Sequence, residues 1–280
     1  MAELYGVIGD PIAHSLSPAM HNDAFQALGL DAYYHAFHVT PDNLEAAVKG
    51  MKAIGVAGFN VTIPHKAAIM QYLDDIDPIA KTIGAVNTVV RRSGRWIGYN
   101  TDGPGFLQAL KEEIGRPLAG DKVLVIGAGG AAKAIYYSLC REGAQQVDLS
   151  NRTKEKAEAI RNANPYPCPS QVLTLDEAEK NLGSYTLIVQ TTSIGMYPKT
   201  DAQAVSLANL QPGAFVSDII YNPFETKFLK EAKKRGARTQ NGLGMFIYQG
   251  AVAFEKWTGI KPDTERMKSI VLKHLGGNVC

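Results

Sequence analysis

The apolar run Val123-Leu124-Val125-Ile126 breaks directly into Gly127-Ala128-Gly129-Gly130-Ala131-Ala132. A run that short, bounded by glycines, has the length of a strand buried on both faces, and such strands belong to parallel sheets. Ala131 to Leu139 are good to moderate helix formers ending near Gly143, and Gln146-Val147-Asp148-Leu149-Ser150 reads as the next strand. Together they make a βαβ unit, and parallel strands joined by a helical crossover restrict the chain to α/β architectures. Short strands recur at Leu187–Gln190 and Ala214–Asp218, with helical stretches at Lys154–Asn162 and Lys227–Arg235. Residues 104–238 are therefore expected to form a Rossmann-type doubly wound domain.

The chain has 280 residues, more than one hydrophobic core usually serves. The first hundred alternate in the same way without a phosphate-loop pattern. Strands are expected at Tyr5–Ile8, Tyr33–Val39 and Gly58–Ile63, and helices at Pro18–Leu28, at Asn43–Ile54 and from Pro64 onward. Strands Val86–Val90 and Trp96–Tyr99 close this unit around a Ser93-Gly94 turn. Met245–Trp257 reads as a helix apolar on several sides that needs a partner surface. The expectation is two α/β domains, residues 1–103 and 104–238, with a C-terminal helical segment, 239–280, returning to the first.

Lys plus Arg number 29 against 27 Asp plus Glu, a net charge of +2, too small for a nucleic-acid footprint or a polybasic membrane patch. With 45% hydrophobic and 20% charged residues, the composition is that of a globular protein acting on small molecules. No apolar run suits a membrane span, and the first ten residues do not read as a signal peptide, so a cytoplasmic setting is expected. Cys140, Cys168 and Cys280 are widely spaced and show no metal-ligand spacing. Without HExxH or a Cys/His cluster, no metal is expected.

The glycine turn between strand and helix suits a dinucleotide pyrophosphate, with Gly127 making the turn and Gly129 allowing close approach. A glycine-rich βα turn in a protein that binds no nucleotide is the plainer reading. The end of the second strand bears on the cofactor. An NAD site usually carries an acid there for the ribose hydroxyls, whereas this chain has Asn151-Arg152-Thr153, donors suited to the 2′-phosphate of NADP. Asp148 falls too early and reads as a mid-strand residue, while Arg152 taken alone also reads as a surface charge.

Ser15-Leu16-Ser17-Pro18 precedes a helix, with Ser17 as N-cap and Pro18 at the first helical position, and the same hydroxyls and free N–H groups suit a carboxylate. Alternation in Gly58–Ile63 turns Phe59, Val61 and Ile63 to one face and Asn60 with Thr62 to the other. Lys66 falls in the first turn of the helix expected from Pro64, where the helix dipole disfavours a cation. Asp102 is its candidate partner. Lys66 also reads as a surface lysine, and an Asp before glycine also reads as a turn or cap residue.

These segments, with Gly84-Ala85-Val86-Asn87-Thr88, Asp218-Ile219-Ile220-Tyr221-Asn222-Pro223 and Asn241-Gly242-Leu243-Gly244-Met245, resemble the shikimate dehydrogenases in order and nearly end to end. Gln190 departs from the Asn more usual in that family. The resemblance implies reversible reduction of 3-dehydroshikimate to shikimate by NADPH, on the route to chorismate and the aromatic amino acids, in a monomer or homodimer. It implies that Lys66 and Asp102 are the catalytic pair, and that Ser15 and Ser17 bind the substrate carboxylate. Asn60, Thr62, Asn87 and Gln249 would bind ring hydroxyls, with Tyr221 also at the substrate. Gly127, Ala128, Gly129, Gly130 and Ala131 would hold the pyrophosphate, and Asn151, Arg152 and Thr153 the 2′-phosphate. Ile219, Gly242 and Met245 would border the nicotinamide. Two alternatives stay open: a quinate/shikimate dehydrogenase using NAD, and a catalytically silent NADP-binding sensor, which need not retain Lys66 and Asp102 together.

Overall fold

The computed structural model describes residues 2–276, so Cys280 lies outside the described residues. It divides into two compact units, one made of residues up to Thr101 together with those from Ile247 on, the other of Asp102–Phe246. The cuts expected from sequence fell after residues 103 and 238. The strand Arg238–Gln240 instead pairs with Phe215–Asp218 and so belongs to the second unit.

In the first unit, β1 (Glu3–Gly9), β2 (Ala32–His38), β3 (Gly58–Val61), β4 (Asp75–Ile76), β5 (Thr88–Arg92) and β6 (Arg95–Tyr99) form a sheet in the order β2-β1-β3-β5-β6-β4. β1 pairs in parallel with β2 and β3, while β5 runs antiparallel to both β3 and β6. The β5–β6 hairpin closes through Ser93 (φ 51°) and Gly94 (φ 76°), the left-handed pair that a two-residue hairpin turn requires. Strand alternation gives the sheet two faces. Ile8, Phe59, Val61, Val89 and Trp96 share a core with Leu44, Val48 and Met51 of α2 (Leu44–Ala53) and with Ala80 of α3 (Pro78–Ile83). On the other face, Tyr5 stacks on Phe25 of α1 (Ser17–Ala27) with centroids 5.1 Å apart, and Phe25 meets Phe254 of α9 (Leu243–Thr258) at 4.9 Å. Trp257 donates its indole N–H to the Val89 carbonyl at 2.9 Å, over Gly58, where a Cβ would lie 2.5 Å from the ring. Asp23 of α1 pairs at both oxygens with Arg266 of α10 (Thr264–His274), at 2.6 and 2.9 Å.

The second unit is a parallel sheet ordered β12-β11-β10-β7-β8-β9, from β7 (Lys122–Ile126), β8 (Gln146–Ser150), β9 (Val172–Leu173), β10 (Leu187–Gln190), β11 (Phe215–Asp218) and β12 (Arg238–Gln240). Its helices are α4 (Asp102–Ile114), α5 (Gly130–Arg141), α6 (Lys154–Asn162), α7 (Leu175–Asn181) and α8 (Lys227–Lys234). This is the doubly wound order, and the reversal between β7 and β10 places the glycine turn after β7 where ligands of such sheets bind. α4 packs closely on α5 because Gly103 lacks a side chain; a Cβ there would lie 2.3 Å from Ser138 Oγ. Asp148 is a mid-strand residue, buried and satisfied by Gln146, the Gln171 N–H and the Tyr185 hydroxyl.

Three local expectations need correction. Leu16, not Ser17, is the N-cap of α1; Ser17 is its first helical residue, and its N–H is accepted by Ser15 Oγ at 3.3 Å. β3 ends at Val61, and Ile63 is 67% exposed rather than buried with Phe59. No α-helix starts at Pro64: the chain makes a turn and then a 3₁₀ helix at Ala68–Tyr72. The Lys66 carbonyl accepts from the Val86 N–H at 2.8 Å, and the Met70 N–H bonds to Ala67 instead. The helix-dipole argument for Lys66 therefore does not apply.

Candidate active site and nucleotide cradle

A buried polar chain links β2 and the C-terminal part of β3 to the start of β5 and to Thr101, just past β6. The Tyr34 hydroxyl donates to Asn60 Oδ1 at 2.7 Å, and Asn60 Nδ2 donates to the Asn87 carbonyl and to Thr88 Oγ1, both at 3.1 Å. Thr88 Oγ1 donates to Asn87 Oδ1 at 3.0 Å, Asn87 Nδ2 donates to Thr101 Oγ1 at 2.9 Å, and the Thr101 N–H returns to Asn87 Oδ1 at 2.8 Å. Ser17 reaches the Tyr34 hydroxyl from the start of α1, and burial pushes the Tyr34 phenol well above its ordinary range. Apolar surroundings make each unpaired polar atom costly, so such a network has one favoured arrangement. Ser17, Asn60 and Asn87 are thereby brought together, with Ser15 beside Ser17.

Lys66 is held from both sides in sequence. His65 is buried and bonds the Val39 carbonyl through Nε2 at 2.6 Å, so Nε2 carries the proton. On the other side, the bond from Val86 fixes Lys66 next to the Asn87 end of β5. Thr62 is partly exposed, and its N–H bonds the Ile8 carbonyl at 3.0 Å. Gln249 on α9 is half-buried. Asp102 is buried in the first turn of α4, directly after Thr101 in the chain. Tyr34, Thr88, Thr101 and His65 were not marked as site residues by sequence reading. Tyr34 in particular looks like any buried strand aromatic until its partners are known.

In the second unit, Gly127 has φ 124°, and a Cβ there would lie 2.4 Å from Thr191 Oγ1. Its N–H bonds the Ser150 carbonyl at 2.7 Å, tying the turn to the end of β8. Gly129 and Gly130 are exposed, and a Cβ on Gly129 would meet nothing within 4 Å. Gly129 caps α5 without a side-chain bond, so the first-turn N–H groups face an open approach that fits a pyrophosphate. Arg152 and Thr153 are exposed beyond β8, with Asn151 Nδ2 bonded to the Thr153 carbonyl at 2.8 Å. No carboxylate occupies positions 149–153, which suits a phosphate better than a ribose diol.

Ile219 and Gly242 do meet: a Cβ on Gly242 would overlap the Ile219 carbonyl, and the Gly242 N–H bonds Ile220 at 2.9 Å. Tyr221 packs at a tilt against Phe246, with ring centroids 4.8 Å apart, and is raised in pKa by burial, while Met245 is buried. Gln190 arranges the neighbouring loop: its amide donates to the Thr192 and Ile194 carbonyls and to Asp218, and its oxygen accepts from the Thr192 N–H. Asp218 also accepts from the Ile220 N–H and the Thr226 hydroxyl, yet burial pushes it up to about 6.

Three family descriptions match the chain: a shikimate dehydrogenase substrate binding domain at residues 7–89, a shikimate / quinate 5-dehydrogenase at 109–219, and a shikimate 5'-dehydrogenase C-terminal domain at 242–272. The shikimate dehydrogenase (NADP(+)) of Geobacillus sp. (strain WCH70) is 56% identical over 277 residues, covering 99% of this chain and 100% of the relative. Shikimate 5-dehydrogenase from Thermus thermophilus, solved with NADP(H) and shikimate, is 37% identical with a TM-score of 0.88, covering 97% of this chain and 99% of that one. Quinate dehydrogenase from Corynebacterium glutamicum, solved with NAD, is 30% identical with a TM-score of 0.89, covering 97% and 99%. Among the described residues no helix is long and apolar enough to cross a membrane.

Proposed function

The chain belongs to the shikimate dehydrogenase family, and on that premise we propose that it reversibly reduces 3-dehydroshikimate to shikimate with NADPH, as a cytoplasmic enzyme. The first unit takes the substrate and the second the cofactor. The observation that carries the reading is the buried polar chain from Tyr34 through Asn60 and Asn87 to Thr101, which fixes hydrogen-bonding groups for a polyhydroxylated ring.

The bound nicotinamide supplies the hydride, and the protein's own groups orient the ring and manage one proton. Ser15 and Ser17, at a helix N-terminus without a counter-ion, receive the substrate carboxylate. Asn60, Thr62, Asn87 and Gln249 receive the ring hydroxyls, with Tyr221 at the substrate as well. Lys66 donates the proton to the forming alkoxide and withdraws it in oxidation, with Asp102 sharing that proton or holding a substrate hydroxyl. Gly127 to Ala131 hold the pyrophosphate; Asn151, Arg152 and Thr153 hold the 2′-phosphate; Ile219, Gly242 and Met245 border the nicotinamide.

The test follows the absorbance of the reduced cofactor with shikimate or quinate and with NADP or NAD. Turnover of shikimate with NADP at the highest kcat/KM is the expected result. Quinate with NAD as the better pair would support the alternative suggested by the similarity to quinate dehydrogenase. No turnover at high enzyme concentration would point to a nucleotide-binding sensor.

A further inference from the structure

We propose that Lys133 is a further determinant of NADP over NAD, reaching the 2′-phosphate along the seam between α5 and α6. This inference rests on the assignment of the glycine turn and Asn151–Thr153 to NADP.

Lys133 lies in the first turn of α5, where the helix dipole disfavours a cation. Its ammonium lies 5.6 Å from the Tyr137 ring centroid, and partial burial alone lowers its pKa, with no carboxylate offsetting that. A half-buried lysine with no acid partner among the described residues and without full solvation is an unfavourable arrangement, and an arriving anion would relieve it.

The direction in which Lys133 points follows from its neighbour one turn on. Tyr137 is buried and donates its hydroxyl to the Ile160 carbonyl of α6 at 3.2 Å, so the Lys133–Tyr137 stripe faces α6. α5 and α6 follow consecutive parallel strands and therefore run the same way. One turn back from the Tyr137–Ile160 contact is the level of Lys156, in the first turn of α6. The ammonium rests near the Tyr137 ring, and the long flexible lysine stem lets it swing back toward Arg152 and Thr153 when an anion arrives. Thr153 is the N-cap of α6 yet makes no side-chain cap bond, leaving its hydroxyl available. Neither helix N-terminus is capped by a side chain, and the first turn of α6 carries one acid, Glu155, so on this path the phosphate would meet Lys133, Arg152 and Lys156.

The experiment is calorimetric titration of the full-length protein with adenosine 2′,5′-bisphosphate and with adenosine 5′-monophosphate, for the parent, Lys133→Met and Lys133→Arg. Met keeps the stem over Tyr137 without the charge. Loss of one charge-assisted hydrogen bond predicts roughly tenfold weaker bisphosphate binding in Lys133→Met, with monophosphate binding within about twofold of the parent and most of the loss restored by Arg. Equal weakening of both ligands, or no weakening of either, overturns the inference while leaving the NADP assignment standing. A parent protein that does not prefer the bisphosphate overturns the NADP assignment itself.

Discussion

The Tyr34 hydroxyl links Ser17 to Asn60, so its removal tests whether the polar chain serves the substrate or only the fold. Tyr34→Phe leaves Asn60 Oδ1 without that donor, costing about 1–3 kcal/mol in chemical denaturation. If the network positions Asn60 and Ser17 for substrate, KM for shikimate rises severalfold while KM for NADP stays put. For the chemistry, Lys66→Ala is expected to lower kcat by at least about 10²-fold with little change in KM. Normal turnover in that variant would remove Lys66 from proton transfer. His65 acts one step away: its bond to Val39 holds the turn that presents Lys66. His65→Ala is therefore expected to reduce kcat more than it raises KM, and a variant with parental kcat would show that the Val86 bond suffices.

At the level of elements, the glycine turn after β7 depends on its backbone conformation. In Gly127→Ala a Cβ must occupy φ 124° at 2.4 Å from Thr191 Oγ1, a strain of about 1–3 kcal/mol that also displaces the N–H groups aimed at the pyrophosphate. Lower stability and weaker binding of both NAD and NADP are expected, whereas Gly120→Ala, with nothing within 4 Å of its Cβ, should leave both unchanged. This turn was legible because its strand, glycines and helix are contiguous; α6 starts and ends as read from sequence. The segment after Pro64 was not legible. Proline tolerates the first helical position, but the bond from Val86, a residue twenty positions on, takes the Lys66 carbonyl away from a helix. Asn60 likewise reads from sequence only as half of a polar pair with Thr62 on one face of the strand. It is in fact closed in by Tyr34, Thr88 and Asn87, partners drawn from β2 and from the start of β5. Patterns confined to one element were readable, and those completed by distant chain were not.

For the whole molecule, acid should act on the two units in opposite senses. His21 is fully buried among Tyr34, Phe254 and Trp257, and burial pushes it down to about 3. Unfolded, it takes a proton near its ordinary 6.5. Its contribution is present above that value and is lost as pH falls, by about 1.4 kcal/mol per pH unit down to about 3. Asp218 in the second unit is raised from 3.8 to about 6 by burial, so its sign is reversed. Stability from that group is full below 3.8 and is lost as pH rises through 6, a difference of about 3 kcal/mol. Between pH 6 and 4 these two groups cancel in any sum over the chain, and a single denaturation midpoint would hide both. Amide hydrogen exchange separates them, because protection is read strand by strand. On acidification across that interval, opening free energies in β1 and β2 should fall while those in β10 and β11 rise, once exchange rates are corrected for pH. Asp218→Asn should abolish the rise in the second unit and leave the fall in the first. Parallel changes in both units would mean that neither group governs the acid response.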